Sequence, residues 1–143
     1  MRGITVRARR GITIVRIVAA AMMIIHGTFR VFDGGVAGFG GFLGSQGMPA
    51  GVAVAWLMTI VEIAGGFLLV AGRFVRPLCA WFILELLAGI ALVHFKEGWF
   101  VVGGGRNGIE YSVLLIVCFT AVALDAAAAA RSRPDGAAAQ TTW

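Results

Sequence analysis

Residues 11–32 read GITIVRIVAAAMMIIHGTFRVF, and within them only Arg16 and Arg30 carry a permanent charge. A helix rises about 1.5 Å per residue and needs about 20 mostly apolar residues to cross the hydrocarbon layer of a bilayer. This stretch is long enough to do so. A basic segment precedes it, as in a secretory leader, but the apolar run extends well past the roughly 7–15 residues of a leader's core and contains His26 and Arg30. It reads as a retained membrane helix.

Three more windows of the same kind follow, at 51–72, 77–95 and 108–130. With residues 11–32 they leave only a basic flank (1–10), short connections and a tail (131–143). The whole chain of 143 residues is 59% hydrophobic, with 12 Lys and Arg against 7 Asp and Glu, and its mean hydropathy is +0.91. Such a composition excludes a soluble nucleotide-binding fold, a disulfide-stapled secreted module and a multidomain enzyme. The expected fold class is all-α, an integral membrane four-helix bundle of one domain (11–130).

The net charge of +5 does not point to nucleic acid. Arg2, Arg7, Arg9 and Arg10 sit just before an apolar run, where a cytoplasmic flank meets anionic headgroups. Arg73 and Arg76 follow the second window, and Arg131 and Arg133 follow the fourth. By the positive-inside rule these segments face the cytoplasm, with both termini inside and the chain multi-pass in the inner (plasma) membrane. The connection from Asp33 to Ala50 and that carrying Lys96, Glu97 and Arg106 then face outward, with Trp99 and Phe100 as interfacial aromatics.

The 33–50 connection holds seven glycines together with Phe39, Phe42 and Leu43. It is too apolar for a free loop and too glycine-rich for a stable helix, so it is expected in the interface or folded back over the bundle mouth as a lid. The tail 131–143, poor in core-forming residues, is expected to be disordered.

Ionisable groups inside a bilayer are expensive and face the bundle interior or a wet cavity. The first window carries Arg16, His26 and Arg30, the second Glu62, the third Glu85 and His94, and the fourth Glu110 and Asp125. Sorted by depth with alternating helix direction, Arg16 is level with Asp125 and about a turn from Glu85, which makes Arg16, Glu85 and Asp125 candidates for structural ion pairs. His26, Arg30, His94 and Glu110 gather in the outer third with Glu62 near the middle. These five are the candidate ligand-binding residues, lining an outward-opening cavity for a polar head or a proton relay; the competing reading is mutual neutralisation that sets helix register.

Gly65, Gly66 and Gly72 read as small-residue helix contacts. Gly103-x-Gly105-x-x-Gly108 matches a dinucleotide fingerprint in letters only, since no strand precedes it. Cys79 and Cys118 lie at different depths, which opposes a disulfide. No metal-ligand spacing or catalytic triad is present, and one histidine on each of two helices is weak evidence for a haem.

Arg16 with Ala20 and His26-Gly27-x-x-Arg30, then Gly47-x-Pro49, Val61-Glu62-x-x-Gly65-Gly66 with Gly72, His94 with Gly98-Trp99-Phe100, and Gly108-x-Glu110-Tyr111 resemble in order the signatures of the DoxX family, over roughly residues 13–125. Arg30 stands where Lys is common in that family. The family's Gly-x-Gly-x-x-Ser-x-Asp close is missing, with Asp125 and an alanine run in its place. The resemblance implies a small four-helix membrane protein, similar in some members to the membrane subunit of thiosulfate:quinone oxidoreductase and in others linked to membrane oxidoreductase complexes that handle thiol or oxidative stress.

Because the chain has no flavin, metal or nucleotide motif, it is not expected to complete a redox reaction alone. No cofactor is intrinsic to it; a quinone is the cofactor it would meet, in a pocket open to the outer leaflet. Its expected partners are the bilayer and either a membrane protein or further copies of itself. The alternatives are a small proton-coupled transporter or lipid-handling protein, and a purely structural subunit.

The charge asymmetry makes a direct topological prediction. In a background lacking Cys79 and Cys118, a cysteine at Ser45 should react with an impermeant reagent from outside, and one at Ser132 only after permeabilisation. Reaction of Ser132 alone from outside inverts the assignment.

Overall fold

The computed structural model describes residues 2–102 and 107–132, with side-chain surroundings described from Arg9 onward. The expected tail from 133 on and the glycines at 103 and 105 lie outside the described residues. The described chain is all helical: α1 (Arg2–Phe32), α2 (Gly35–Ser45), α3 (Gly51–Ile60), a π-helical turn (Val61–Gly65), α4 (Gly66–Val70), α5 (Val75–Leu92), a 3-10 turn (His94–Glu97) and α6 (Glu110–Arg131). Four segments are long and apolar enough to cross a membrane: Arg9–Phe32, Gly51–Val70, Val75–Leu92 and Glu110–Arg131. They match the four windows, with ends moved by a few residues.

The spans form a four-membered bundle in chain order. The first packs against the second and the fourth, and α5 packs most extensively against α6. At its centre the Phe82 and Phe119 rings lie 5.2 Å apart at 35°, both fully buried, with Ala19, Ala20, Met23, Leu69, Cys79, Leu115 and Val122 around them. On α6 the inward residues Ser112, Leu115, Phe119 and Val122 recur every three or four positions, the spacing of one helix face. The opposite face bears Leu114, Val117 and Leu124, each about 60% exposed. An outer surface of that kind is stable against lipid and not against water. Both cysteines are free, with Cys79 buried.

One expectation is corrected. The glycine-rich connection forms the helix α2, which packs chiefly on α3 around Val36, Leu43 and Ala55. Glycine's low helix propensity is overcome by contact. A Cβ on Gly40 would come within 2.5 Å of the Val52 Cα, and one on Gly51 would collide with the Gly40 carbonyl, so two glycines let the backbones touch as small residues do between membrane helices. His94 is also displaced from expectation: the third helix ends at Leu92, and His94 opens the 3-10 turn that takes Lys96 and Glu97 out of the apolar segment.

Gly65 and Gly66 do serve close packing, since added Cβ atoms would meet Leu78 of α5 at 2.9 Å and Ile24 of α1 at 2.5 Å. Gly72, with φ +73°, instead ends a helix. The Arg73 amide donates to the Leu68 carbonyl and the Gly72 amide to that of Leu69, the Schellman pattern that satisfies terminal carbonyls.

The α2–α3 contact separates two otherwise equal substitutions. Gly40→Ala should release α2 and lower the melting temperature in detergent, whereas Gly38→Ala, with nothing within 4 Å of its Cβ, should be neutral or stabilising by up to about 1 kcal/mol. Equal effects in both variants would remove the backbone contact as the reason α2 is helical.

Candidate functional site

Arg30 lies in the last turn of α1, and its side chain runs back toward the helix N-terminus, as helical side chains do. Its Nη1 donates to the Glu62 Oε2 at 2.7 Å and to the Thr59 Oγ1 at 2.9 Å, and its Nη2 donates to the Glu62 Oε1 at 3.1 Å. This is a two-pronged guanidinium–carboxylate pair, the strongest geometry available to these groups. Thr59 donates its own hydroxyl proton to the Ala55 carbonyl at 2.7 Å, which leaves a lone pair for Arg30.

The pair is sealed. Glu62 is 1% exposed and the Arg30 side chain 12%, and the Phe39 ring of α2 stacks over the guanidinium at 4.6 Å, a cation–π contact. The expected lid is therefore a packed helix whose Phe39 closes the site from the α2 end.

Local backbone features put the carboxylate there. Glu62 lies in the π-helical turn Val61–Gly65, a form that recurs at functional positions because it re-aims a side chain within an otherwise regular helix. Across from it stands Gly27, where a Cβ would lie 2.9 Å from both the Glu62 Cβ and its Oε2. Any side chain at 27 would occupy the space of the carboxylate, so Gly27 and Arg30, one turn apart on α1, work as vacancy and counterion.

One further group adjoins Glu62. The His26 Nε2 is 4.0 Å from Glu62 Oε1, with the imidazole 66% exposed. On α5 the Glu85 Oε2 accepts from the Trp81 indole N–H at 3.0 Å. Thus His26, Arg30 and Glu62 converge as the sequence leads one to expect, joined by Thr59 and Phe39.

His94 and Glu110 do different work. The Glu110 Oε1 accepts from the Val101 amide at 2.8 Å, and the Glu110 amide donates to the Trp99 carbonyl at 3.0 Å, with Ile109 bonded to Gly98 and Gly108 to Phe100 beside it. The His94 Nδ1 is bonded to the Asn107 carbonyl at 2.7 Å. Both side chains clasp the connection between α5 and α6 to the bundle and leave the Arg30–Glu62 pair to itself.

The expected Arg16 pairing is corrected as well. Among the described residues no salt bridge joins Arg16, Glu85 or Asp125. The Arg16 Nη2 instead donates to the Val70 carbonyl at 3.4 Å, one of the terminal carbonyls left over by the Schellman turn, where a cation is favoured by the helix dipole. The two hollows found on the surface, one along Arg9, Arg10, Thr13 and Ile14 and one along Val101, Val102, Glu110, Tyr111 and Leu114, lie away from the pair.

Removing one member of a desolvated ion pair strands the other. Arg30→Ala should therefore cost about 3–5 kcal/mol and exceed the cost of the Arg30→Ala/Glu62→Ala double change, read as unfolding in graded detergent. Strictly additive losses would show that the two groups are independent.

The DoxX family model matches residues 11–95, a span that holds Arg16, the whole Arg30–Glu62 network and α2, and stops before Glu110. Comparison with curated proteins and with solved structures found no match. The family match covers more than half of the chain and falls on four-helix architecture with apolar spans, and the chain belongs to the DoxX family of membrane proteins.

Proposed function

We propose that this chain is the membrane subunit of an oxidoreductase assembly in the inner (plasma) membrane and that it meets a quinone at the α2 end of the bundle, the end that the charge asymmetry turns outward. The observation that carries the reading is the environment of His26. Its imidazole is exposed on an apolar helix face, while its Nε2 is 4.0 Å from a buried carboxylate. An exposed imidazole at membrane depth can donate to or accept from a quinone oxygen, and the carboxylate behind it can orient the ring.

The surroundings fit such a ligand. Ile25 and Phe29, 59% and 66% exposed, and Met22 lie within about a turn of His26 on α1 and offer an apolar bed for a ring or an isoprenoid tail. Arg30 holds both oxygens of the buried Glu62, so the head would meet His26 at the surface, with the ion pair as its support. A quinone supplies the electron-accepting chemistry; the chain's own residues bind, orient and exchange protons, and a partner protein supplies the electron donor.

The reading stands on His26 and is tested there. A quinone analogue should bind the natural protein in detergent or nanodiscs, and His26→Ala, at matched folding, should weaken it about tenfold, the value of one hydrogen bond. Equal binding in His26→Ala, or no binding to the natural protein, would leave a structural subunit or a lipid-handling protein as the better account.

A further inference from the structure

The end of the bundle opposite α2 holds charge of nearly one sign. Among the described residues it carries Arg9, Arg10, Arg16, Arg73, Arg76 and Arg131 against Asp125, and no salt bridge among those residues matches any of the six. Five of the arginines are exposed; Arg16 is partly buried. It lies about two turns inside the apolar span Arg9–Phe32. Its guanidinium has five N–H donors, yet its bond to the described chain is the long 3.4 Å one from Nη2 to the Val70 carbonyl, and its Nε is buried with no hydrogen-bond partner. Arg30, on the same helix, has both oxygens of a carboxylate. A guanidinium inside the apolar layer calls for an anion, and none of the described carboxylates supplies one to Arg16.

The surroundings suit an anion that arrives from the membrane boundary. Helical side chains lean toward the helix N-terminus, which carries the Arg16 head toward the rim. That head rests over Gly72, where a Cβ would lie 2.9 Å from Nη1, so a bare glycine keeps this edge of the guanidinium unobstructed. Arg9 stands seven residues away on the same face of α1, about 10 Å nearer the rim. A hollow runs past it along Arg10, Thr13 and Ile14, and Ile14, Ile17 and Val18, between 40% and 63% exposed, follow on α1 into the apolar layer.

We propose that Arg16 anchors a phospholipid site at this end of the bundle: the phosphodiester is seated on Arg16 with Arg9 toward the rim, and an acyl chain lies along Ile14, Ile17 and Val18. A phosphodiester accepts from two guanidinium hydrogens at once and brings the missing negative charge. The occupant is an anionic phospholipid, since the choline or ethanolamine of a zwitterionic one would set a further cation among six arginines. The site lies at the other end of α1 from His26 and is independent of the quinone reading.

The test is native mass spectrometry of the full chain in detergent with dioleoyl phosphatidylglycerol, dioleoyl phosphatidylcholine or inorganic phosphate added. One phosphatidylglycerol should stay on each chain under activation that strips phosphatidylcholine, and it should raise the melting temperature where inorganic phosphate does not. Arg16→Gln should weaken retention about tenfold, the value of one charge-assisted bond. Arg9→Gln changes an exposed side chain and leaves the fold alone; it should weaken retention about fivefold. Arg131→Gln, the same loss of charge elsewhere on the rim, should weaken it about twofold at most, because salt screens a charge outside the site. Equal retention of the two lipids, or losses in Arg16→Gln and Arg9→Gln no greater than in Arg131→Gln, overturns the site. Equal stabilisation by inorganic phosphate makes the ligand a free anion and overturns the lipid.

Discussion

A charge inside an apolar layer must be matched within a few ångströms, and in this protein Arg30 and Glu62 satisfy that requirement for each other. Most of the upper bundle is arranged around the fact. Gly27 is bare because the carboxylate lies against it; Thr59 turns its lone pair toward the guanidinium while its proton stays on Ala55; Phe39 covers the cation. The lower bundle holds Arg16, which donates to the Val70 carbonyl at 3.4 Å, and is otherwise built as close packing, with Phe82 against Phe119.

Lipid as solvent also explains what would be anomalous in water. Helix contacts gain nothing from expelling water, so close backbone approach and dispersion must hold them. Glycine, a weak helix former, is therefore the residue that lets α2 dock on α3, and α2 in turn delivers Phe39 to the ion pair. Structure and site are linked through that one glycine contact.

Much of this was legible in the residues. Length and hydropathy suffice for four spans because continuous apolar runs of about 20 residues satisfy their backbone in lipid as helices, whereas a closed barrel needs shorter strands of alternating polarity. Depth sorting correctly groups His26, Arg30 and Glu62, for which side-chain reach along one pair of facing helices is enough. It fails where rotation about the helix axis decides: Arg16 shares a level with Asp125 but turns to the Val70 carbonyl, and His94 and Glu110 share a level with Arg30 but turn to the backbone of the α5–α6 connection. Thr59, Trp81 and Phe39 escape notice because sorting ionisable groups ignores the neutral donors and rings that complete their shells. The helicity of α2 is hidden for another reason, since it depends on pairing Gly40 with Gly51, a relation between positions that composition does not carry.

Arg16 and Arg30 both reach from α1 to the second span, one to its terminal carbonyl and the other to its carboxylate. They are fourteen residues apart on one helix, roughly 21 Å along its axis, so the two spans are pinned near both ends as one plate. The α5–α6 pair, joined by its own extensive packing and by the clasp of His94 and Glu110, makes a second plate. Between the plates, α1 packs along α6 and Leu78 of α5 lies at Gly65, contacts of shape that carry no bond direction. The bundle thus has its register set by directional bonds within each plate and by surface relief between them.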